Sequence, residues 1–231
     1  ESVPTLEKLE ADFHPFYCCG ALRHILWVHD PTTRGRVKIA DLMRSGIMEE
    51  WLDVQLSPQE IPRNWFSASI ATQLYEKFLA LDVRGEGMLR LEDLLHYKQG
   101  IPSVVDDGLP KEVSPISELF IERVFETTKM YNGEMDYKKF VDFVVAVEFL
   151  PQCHRPLFFW HIFDLHDEGY ITPVIVNYFF RQTHAKLVTA GVQPPPMELI
   201  VQELFDIVHT AQPLMITKEE FLVAPQAGLL S

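Results

Sequence analysis

The stretch Phe78-Leu79-Ala80-Leu81-Asp82-Val83-Arg84-Gly85-Glu86-Gly87-Met88-Leu89-Arg90-Leu91-Glu92-Asp93-Leu94-Leu95 decides the fold. An apolar helical segment runs into a short polar loop, the chain turns at Gly87, an apolar pair follows, and a second apolar helical segment begins. Leu74, Phe78 and Leu81 before the loop, and Leu91, Leu94 and Leu95 after it, keep the three- and four-residue spacing of a buried helix face.

The same order of features returns along the chain. Its turn centres are Gly35-Arg36-Val37, Gly87-Met88-Leu89, Gly133-Glu134-Met135 and Gly169-Tyr170-Ile171, with glycine spacings of 52, 46 and 36 residues. A fifth centre, Leu214-Met215-Ile216, keeps the apolar residue and lacks the glycine. Around the fourth, the helix faces are Phe159, Ile162 and Phe163 before and Val174, Tyr178 and Phe179 after. A helix-ending glycine explains any one of these loops. Five in the same order indicate a repeated helix–loop–helix unit. In a twelve-residue cation loop, position 6 turns with a positive φ that suits glycine. The apolar residue at position 8 pairs with the neighbouring loop. The chain therefore reads as an all-α fold of about five EF-hands, mostly degenerate, with two-residue β-bridges between paired loops.

Proline-bearing segments at 55–66, 100–115 and 191–196 divide these units, because proline ends helices and stiffens connections. The expected organisation is 1–62 as N-terminal helices with the first degenerate hand, 63–150 as hands two and three, and 151–231 as hands four and five.

Composition narrows the function. The net charge of −13 disfavours nucleic-acid and anionic-membrane surfaces, and no apolar run reaches the length of a membrane span. The 47% apolar content, with 16 Phe and 4 Trp, supplies an aromatic core. Three cysteines, Cys18, Cys19 and Cys153, are an odd count with two adjacent, so a reduced, intracellular setting is expected. The start is acidic, carries no signal peptide and begins with Glu, which reads as a trimmed fragment of a longer chain.

Calcium takes six to eight oxygens, from side chains at positions 1, 3, 5 and 12 and a backbone carbonyl at 7. The second loop supplies the best set, Asp82, Glu86, Met88 and Asp93, and calcium there is the one cofactor the sequence suggests. It is a weak site. Position 3 is Arg84, a cation that repels the ion unless it swings out to solvent and that supplies no ligand in either case, and Asp93 is shorter than the usual Glu. The fourth loop has Asp164, His166, Glu168 and Tyr170, but Ile175 at position 12. The first runs from Asp30 to Asp41 with Thr32 and Arg34 inside it. The third places Thr128, Met130, Asn132 and Lys139 at ligand positions, and the fifth runs from His209 to Glu220. These are expected to be structural hands that fold without metal.

The runs Asn64-Trp65-Phe66-Ser67-Ala68, Phe78 to Asp82 with Gly87-Met88-Leu89, Arg123-Val124-Phe125, Gly133 to Lys138, Asp142-Phe143-Val144 and Asn177 to Arg181 resemble the B-double-prime regulatory subunits of protein phosphatase 2A. Phe16-Tyr17-Cys18, Asp30-Pro31 and Lys38-Ile39 fit the gamma branch, which includes the plant Tonneau-type cytoskeletal regulators. The resemblance implies a non-catalytic subunit that binds helical-repeat scaffold and catalytic subunits and directs the phosphatase to phosphoprotein substrates. It further implies centrosomal or microtubule-organising partners, and a cytoplasmic, centrosomal or cytoskeletal location, with the nucleus open. A free-standing calcium sensor or buffer is the alternative, and it is weakened by the lack of a complete loop.

No zinc-protease, nucleophile-elbow or phosphate-loop motif is present, so an enzyme is not expected. His161, His166 and Asp164 fall short of a convergent zinc set, and Cys153-His154 are too close in sequence to orient each other. Trp65, Phe66, Phe158 and Trp160 are candidate partner-binding aromatics, weighed against a role as buried anchors.

Overall fold

The computed structural model describes residues 7, 9–30, 34–56, 64–97, 116–148 and 156–224. Thr32, Cys153-His154 and the proline-rich segment 100–115 lie outside the described residues, as do Pro58 and Pro62. After a short 3-10 turn at Ala11–Phe13, the described helices are α1 (His14–His29), α2 (Ile39–Arg44), α3 (Ile47–Leu56), α4 (Ala68–Leu81), α5 (Leu91–Leu94), α6 (Glu118–Thr127), α7 (Tyr137–Glu148), α8 (Pro156–Phe163), α9 (Pro173–Thr189), α10 (Met197–Val208) and α11 (Lys218–Val223). Between them lie four two-residue strands: β1 (Met88–Leu89), β2 (Met135–Asp136), β3 (Tyr170–Ile171) and β4 (Ile216–Thr217).

Local chemistry sets several helix starts. Ser67 accepts the Ile70 N–H at 3.2 Å, and Ser117 accepts the Phe120 N–H at 3.1 Å, each satisfying a donor left over at a helix N-terminus. Thr217 and Glu220 form a reciprocal capping box that opens α11. Pro173 stands in the first turn of α9, where its missing N–H costs nothing.

The loops pair as the spacing predicts. β1 runs antiparallel to β2, with Leu89 opposite Met135, and β3 runs antiparallel to β4, with Ile171 opposite Ile216. All four of these position-8 residues are buried, so each bridge is also the roof of a core layer. The four turn glycines, Gly35, Gly87, Gly133 and Gly169, sit at φ between +68° and +78°. The first hand differs: Val37 is half-buried and carries no strand, and Ile39 and Met43 of α2 are exposed.

The core is continuous from Trp27 and Ile47 through Phe78, Phe140 and Phe143 to Phe159, Trp160, Phe179 and Phe221. α1 packs along α7 and crosses α4, α6 packs on α8, and α8 packs on α11. Two charged groups tie these layers. Arg23 of α1 grips Asp142 of α7 with Nε and Nη2 at 2.5 and 2.6 Å, a two-pronged geometry that a lysine could not reproduce. Arg123 of α6 donates to the carbonyls of His161 and Ile162 at 3.0 and 3.2 Å, satisfying the end of α8. Among the described residues, no helix is long and apolar enough to cross a membrane.

The faces expected from periodicity are largely buried, with three corrections. Leu95, Val174 and Tyr178 are exposed, at 37%, 76% and 42%. α9 begins Pro173-Val174-Ile175-Val176, and only one side of a helix can face the core, so Ile175, Val176 and Phe179 take it.

Candidate functional site

Three hands begin with an aspartate that is buried, and in each its carboxylate holds the loop. Asp30 accepts the Gly35 N–H at 2.6 Å. Asp82 accepts the Glu86 and Gly87 N–H groups at 3.1 and 2.7 Å. Asp164 accepts the Glu168 N–H at 2.9 Å and the Gly169 N–H at 3.2 Å. These bonds satisfy backbone donors that the turn leaves without a backbone partner.

The other member of each pair is closed differently. In hand three, Tyr131 and Glu134 exchange both backbone hydrogen bonds across Asn132-Gly133, at 3.1 and 3.0 Å. Both turn residues have positive φ, a hairpin turn that Asn-Gly favours. In hand five, a bridge joins Gln212 and Met215 across Pro213-Leu214, and Leu214 takes φ +64° in place of the missing glycine. Glu220, at position 12, accepts from Ala211 N at 2.7 Å and from Thr217 N at 2.8 Å. These bonds hold its carboxyl below the usual range. Each pair thus joins one aspartate-led loop to one loop closed by its own backbone.

The second loop brings three of its expected ligands, Glu86, Met88 and Asp93, together around a different partner. Arg84 folds inward. Its Nε lies 2.7 Å from Glu86 Oε2, and its Nη2 lies 3.3 Å from Asp93 Oδ2 and 3.5 Å from the Met88 carbonyl. Arg84 does not turn away from the loop oxygens, although its side chain is free to do so, and the reason is electrostatic. Three oxygens in reach, with Glu134 of the paired loop 3.7 Å away, outweigh hydration of a weakly hydrated guanidinium. Arg90 adds a second cation, 3.0 Å from Glu134 and 3.8 Å from Glu86. Asp93 also accepts the Arg90 N–H at 2.8 Å, which starts α5.

A calcium ion does not fit the residues in this arrangement. Position 3 offers five N–H donors and no oxygen, and the groups at 5, 7 and 12 already face the guanidinium. Elsewhere, Ile175 at position 12 of the fourth loop is buried in the core, while His161 and His166 are exposed. Among the described residues, no three His, Cys, Asp or Glu side chains are grouped to hold a metal.

The candidate docking aromatics are placed inside. Trp65, Phe66 and Trp160 are 4%, 0% and 2% exposed, which corrects their reading as a partner surface. Trp65 Nε1 donates to the Gly20 carbonyl at 3.0 Å, and the Tyr17 hydroxyl donates to the Phe66 carbonyl at 2.9 Å, so this pair anchors the segment before α4 beneath α1. Trp160 packs edge-on against Phe221 with ring centres 5.6 Å apart. Phe158, half-buried, packs against Trp27 at 5.2 Å. A cleft of about 1280 Å³ instead opens between α9 and α10, lined by Val174, Tyr178, Val201, Phe205 and Leu214. Sequence periodicity assigned Val174 and Tyr178 to the core and so passed over it.

No established family profile matches the chain. It is 30% identical over 233 residues to the gamma form of the B-double-prime regulatory subunits of serine/threonine-protein phosphatase 2A from Danio rerio, covering 100% of this chain and 48% of that protein. The Homo sapiens gamma form is 31% identical with the same coverage. TON2 of Arabidopsis thaliana, named for the same group of regulatory subunits, is 29% identical over 245 residues, covering 99% of this chain and 48% of that protein. The chain thus spans about half the length of the curated relatives it matches. Its fold is shared with a chain of a PP2A PR70 holoenzyme structure, at a TM-score of 0.71 and 21% identity, over 98% of this chain and 81% of that one. Along its whole length, the chain is homologous to proteins named as B-double-prime regulatory subunits of protein phosphatase 2A, the gamma forms and TON2 among them.

Proposed function

We propose that the chain is a non-catalytic regulatory part of a protein phosphatase 2A holoenzyme, binding scaffold and catalytic subunits and directing them to phosphoprotein substrates. The observation that carries this reading is the match along the full length of the chain to proteins named as regulatory subunits. A fold shared with a chain of a PP2A holoenzyme supports it. The finer reading places the complex in the cytoplasm at centrosomes or the cytoskeleton, in keeping with the resemblance to the Tonneau-type regulators. A free-standing calcium sensor is disfavoured, since a sensor needs complete loops and Arg84 and Ile175 interrupt the two best ones.

The test is binding of the purified chain to a reconstituted scaffold–catalytic core, measured by interferometry once in chelator and once in millimolar calcium. Saturable binding of equal strength in both supports a regulatory role with structural hands. Binding that requires calcium would restore Asp82, Glu86 and Asp93 as a working switch within the regulatory reading. No binding in either buffer would refute the proposal for this chain.

A further inference from the structure

We infer that the cation of the second hand is the chain's own Arg84 guanidinium, so that this loop is closed permanently and does not respond to calcium. This goes beyond the regulatory reading and stands on the loop geometry alone.

The groups around the guanidinium are the side chains at positions 5 and 12 and the carbonyl at position 7, the oxygens that a calcium loop turns on its ion. Arg84 reaches Glu86 at 2.7 Å, Asp93 at 3.3 Å and the Met88 carbonyl at 3.5 Å. The planar fork lets one side chain engage the entering and exiting halves of the loop together. Its side chain is 29% exposed, less than the 52% of Glu86, so the cation is partly shielded by the groups it contacts.

The surrounding charges complete the exchange. Glu86, Asp93 and Glu134 contribute three negative charges, and Arg84 and Arg90 contribute two positive ones within 3.8 Å of them. A divalent ion entering here would meet two guanidinium groups as well as the carboxylates. It would also have to displace Arg84 from the ligands at positions 5, 7 and 12. A tethered cation is not lost to bulk solvent by dilution, so the β1–β2 pairing is independent of calcium concentration.

The proposal is tested by titrating the chain and an Arg84→Asn/Asp93→Glu variant with calcium in a calorimeter, with terbium luminescence as a second readout. The substitutions remove the internal cation and restore an oxygen at position 3 and a longer carboxylate at position 12. The expected result is no saturable binding to the native chain below about 1 mM. The variant is expected to take up one equivalent at least about tenfold more tightly, toward the roughly 10⁻⁷–10⁻⁵ M of sensor loops. One calcium bound to the native chain at about 10 μM or below would overturn the proposal. A folded variant that binds no better than the native chain would do so as well. The native chain supplies a check that needs no variant: the Arg84 Nε–H resonance is expected to keep its shift and slow exchange in 5 mM calcium, and its loss would refute the assignment.

Discussion

Lys77 of α4 and Glu148 at the end of α7 form an ion pair 2.8 Å apart, with the carboxylate wholly removed from solvent. The hydroxyl of Tyr97, from the segment after α5, donates to the same oxygen, and the Lys77 ammonium lies 5.0 Å from the centre of the Tyr97 ring. Burial raises the Tyr97 hydroxyl well above its ordinary pKa, the neighbouring Glu148 charge adds to this, and the phenol therefore stays a donor at neutral pH. Three elements from hands two and three meet at one buried charge.

The first prediction follows from that cluster. Lys77→Met removes the cation that faces the buried carboxylate and leaves the charge in place. Breaking one side of a buried pair typically costs about 3–5 kcal/mol, and Lys77, being a fifth exposed, belongs at the lower end. Urea unfolding is expected to show a loss near 3 kcal/mol for Lys77→Met and a smaller loss when Glu148→Gln is added. Equal losses in the single and double variants would show that the pair is not coupled.

His24 gives the chain an acid-sensitive side. Its ring packs against Trp65 and Phe66 at 5.0 and 5.7 Å, and burial, with a smaller push from the His29 charge, lowers its pKa from 6.5 to about 4. Below pH 6.5 the unfolded chain takes up a proton that the folded chain refuses until about pH 4, so stability falls as pH drops through that window. The full effect of such a shift is about 3 kcal/mol. The expected outcome is a larger fall in urea midpoint between pH 7.5 and 5 for the native chain than for His24→Gln. Parallel pH profiles would contradict a neutral buried imidazole.

The parts of this fold that were legible in the sequence are those fixed by local backbone demands. Gly87 and Gly169 mark turns because the chain needs positive φ there, and Leu89 and Ile171 mark bridges because the residue two places on must be apolar. The placement of Arg84 was not legible in the same way. Its partners include Glu134, fifty positions away in sequence and brought near only by the pairing of β1 with β2. Trp65 and Phe66 were likewise ambiguous, since what buries them is α1, more than thirty residues earlier. Periodicity on α9 could not say which of two apolar sides faces inward, and the side bearing Val174 and Tyr178 became the wall of a cleft.

Leu214 carries a cost that a single substitution can remove. It holds φ +64° at the turn position where the other four hands have glycine, and its side chain is 66% exposed, so packing returns little. A left-handed backbone costs an ordinary residue roughly 1–2 kcal/mol, and asparagine tolerates it. Leu214→Asn is expected to stabilise the chain by about 1 kcal/mol, read as a higher melting temperature with unchanged helicity. A lower melting temperature would mean that the leucine's contacts outweigh its backbone strain.

Asp164 separates a loop held by hydrogen bonds from one held by an ion. Its carboxylate is buried and accepts two backbone N–H groups, from Glu168 at 2.9 Å and Gly169 at 3.2 Å, while position 12 of the same loop is the buried Ile175. Asp164→Ala strands both donors, and each unsatisfied group costs about 1–3 kcal/mol where it stays out of water. The Glu168 and Gly169 side of the loop is partly hydrated, so a total of about 2 kcal/mol is expected. Asp164→Asn retains one acceptor oxygen and is expected to lose about half as much. Neither loss is expected to depend on calcium, so unfolding curves in chelator and in millimolar calcium superimpose for the native chain and both variants. A calcium-dependent gap that Asp164→Ala abolishes would show that the carboxylate serves an ion after all, and that the backbone bonds alone do not hold this loop.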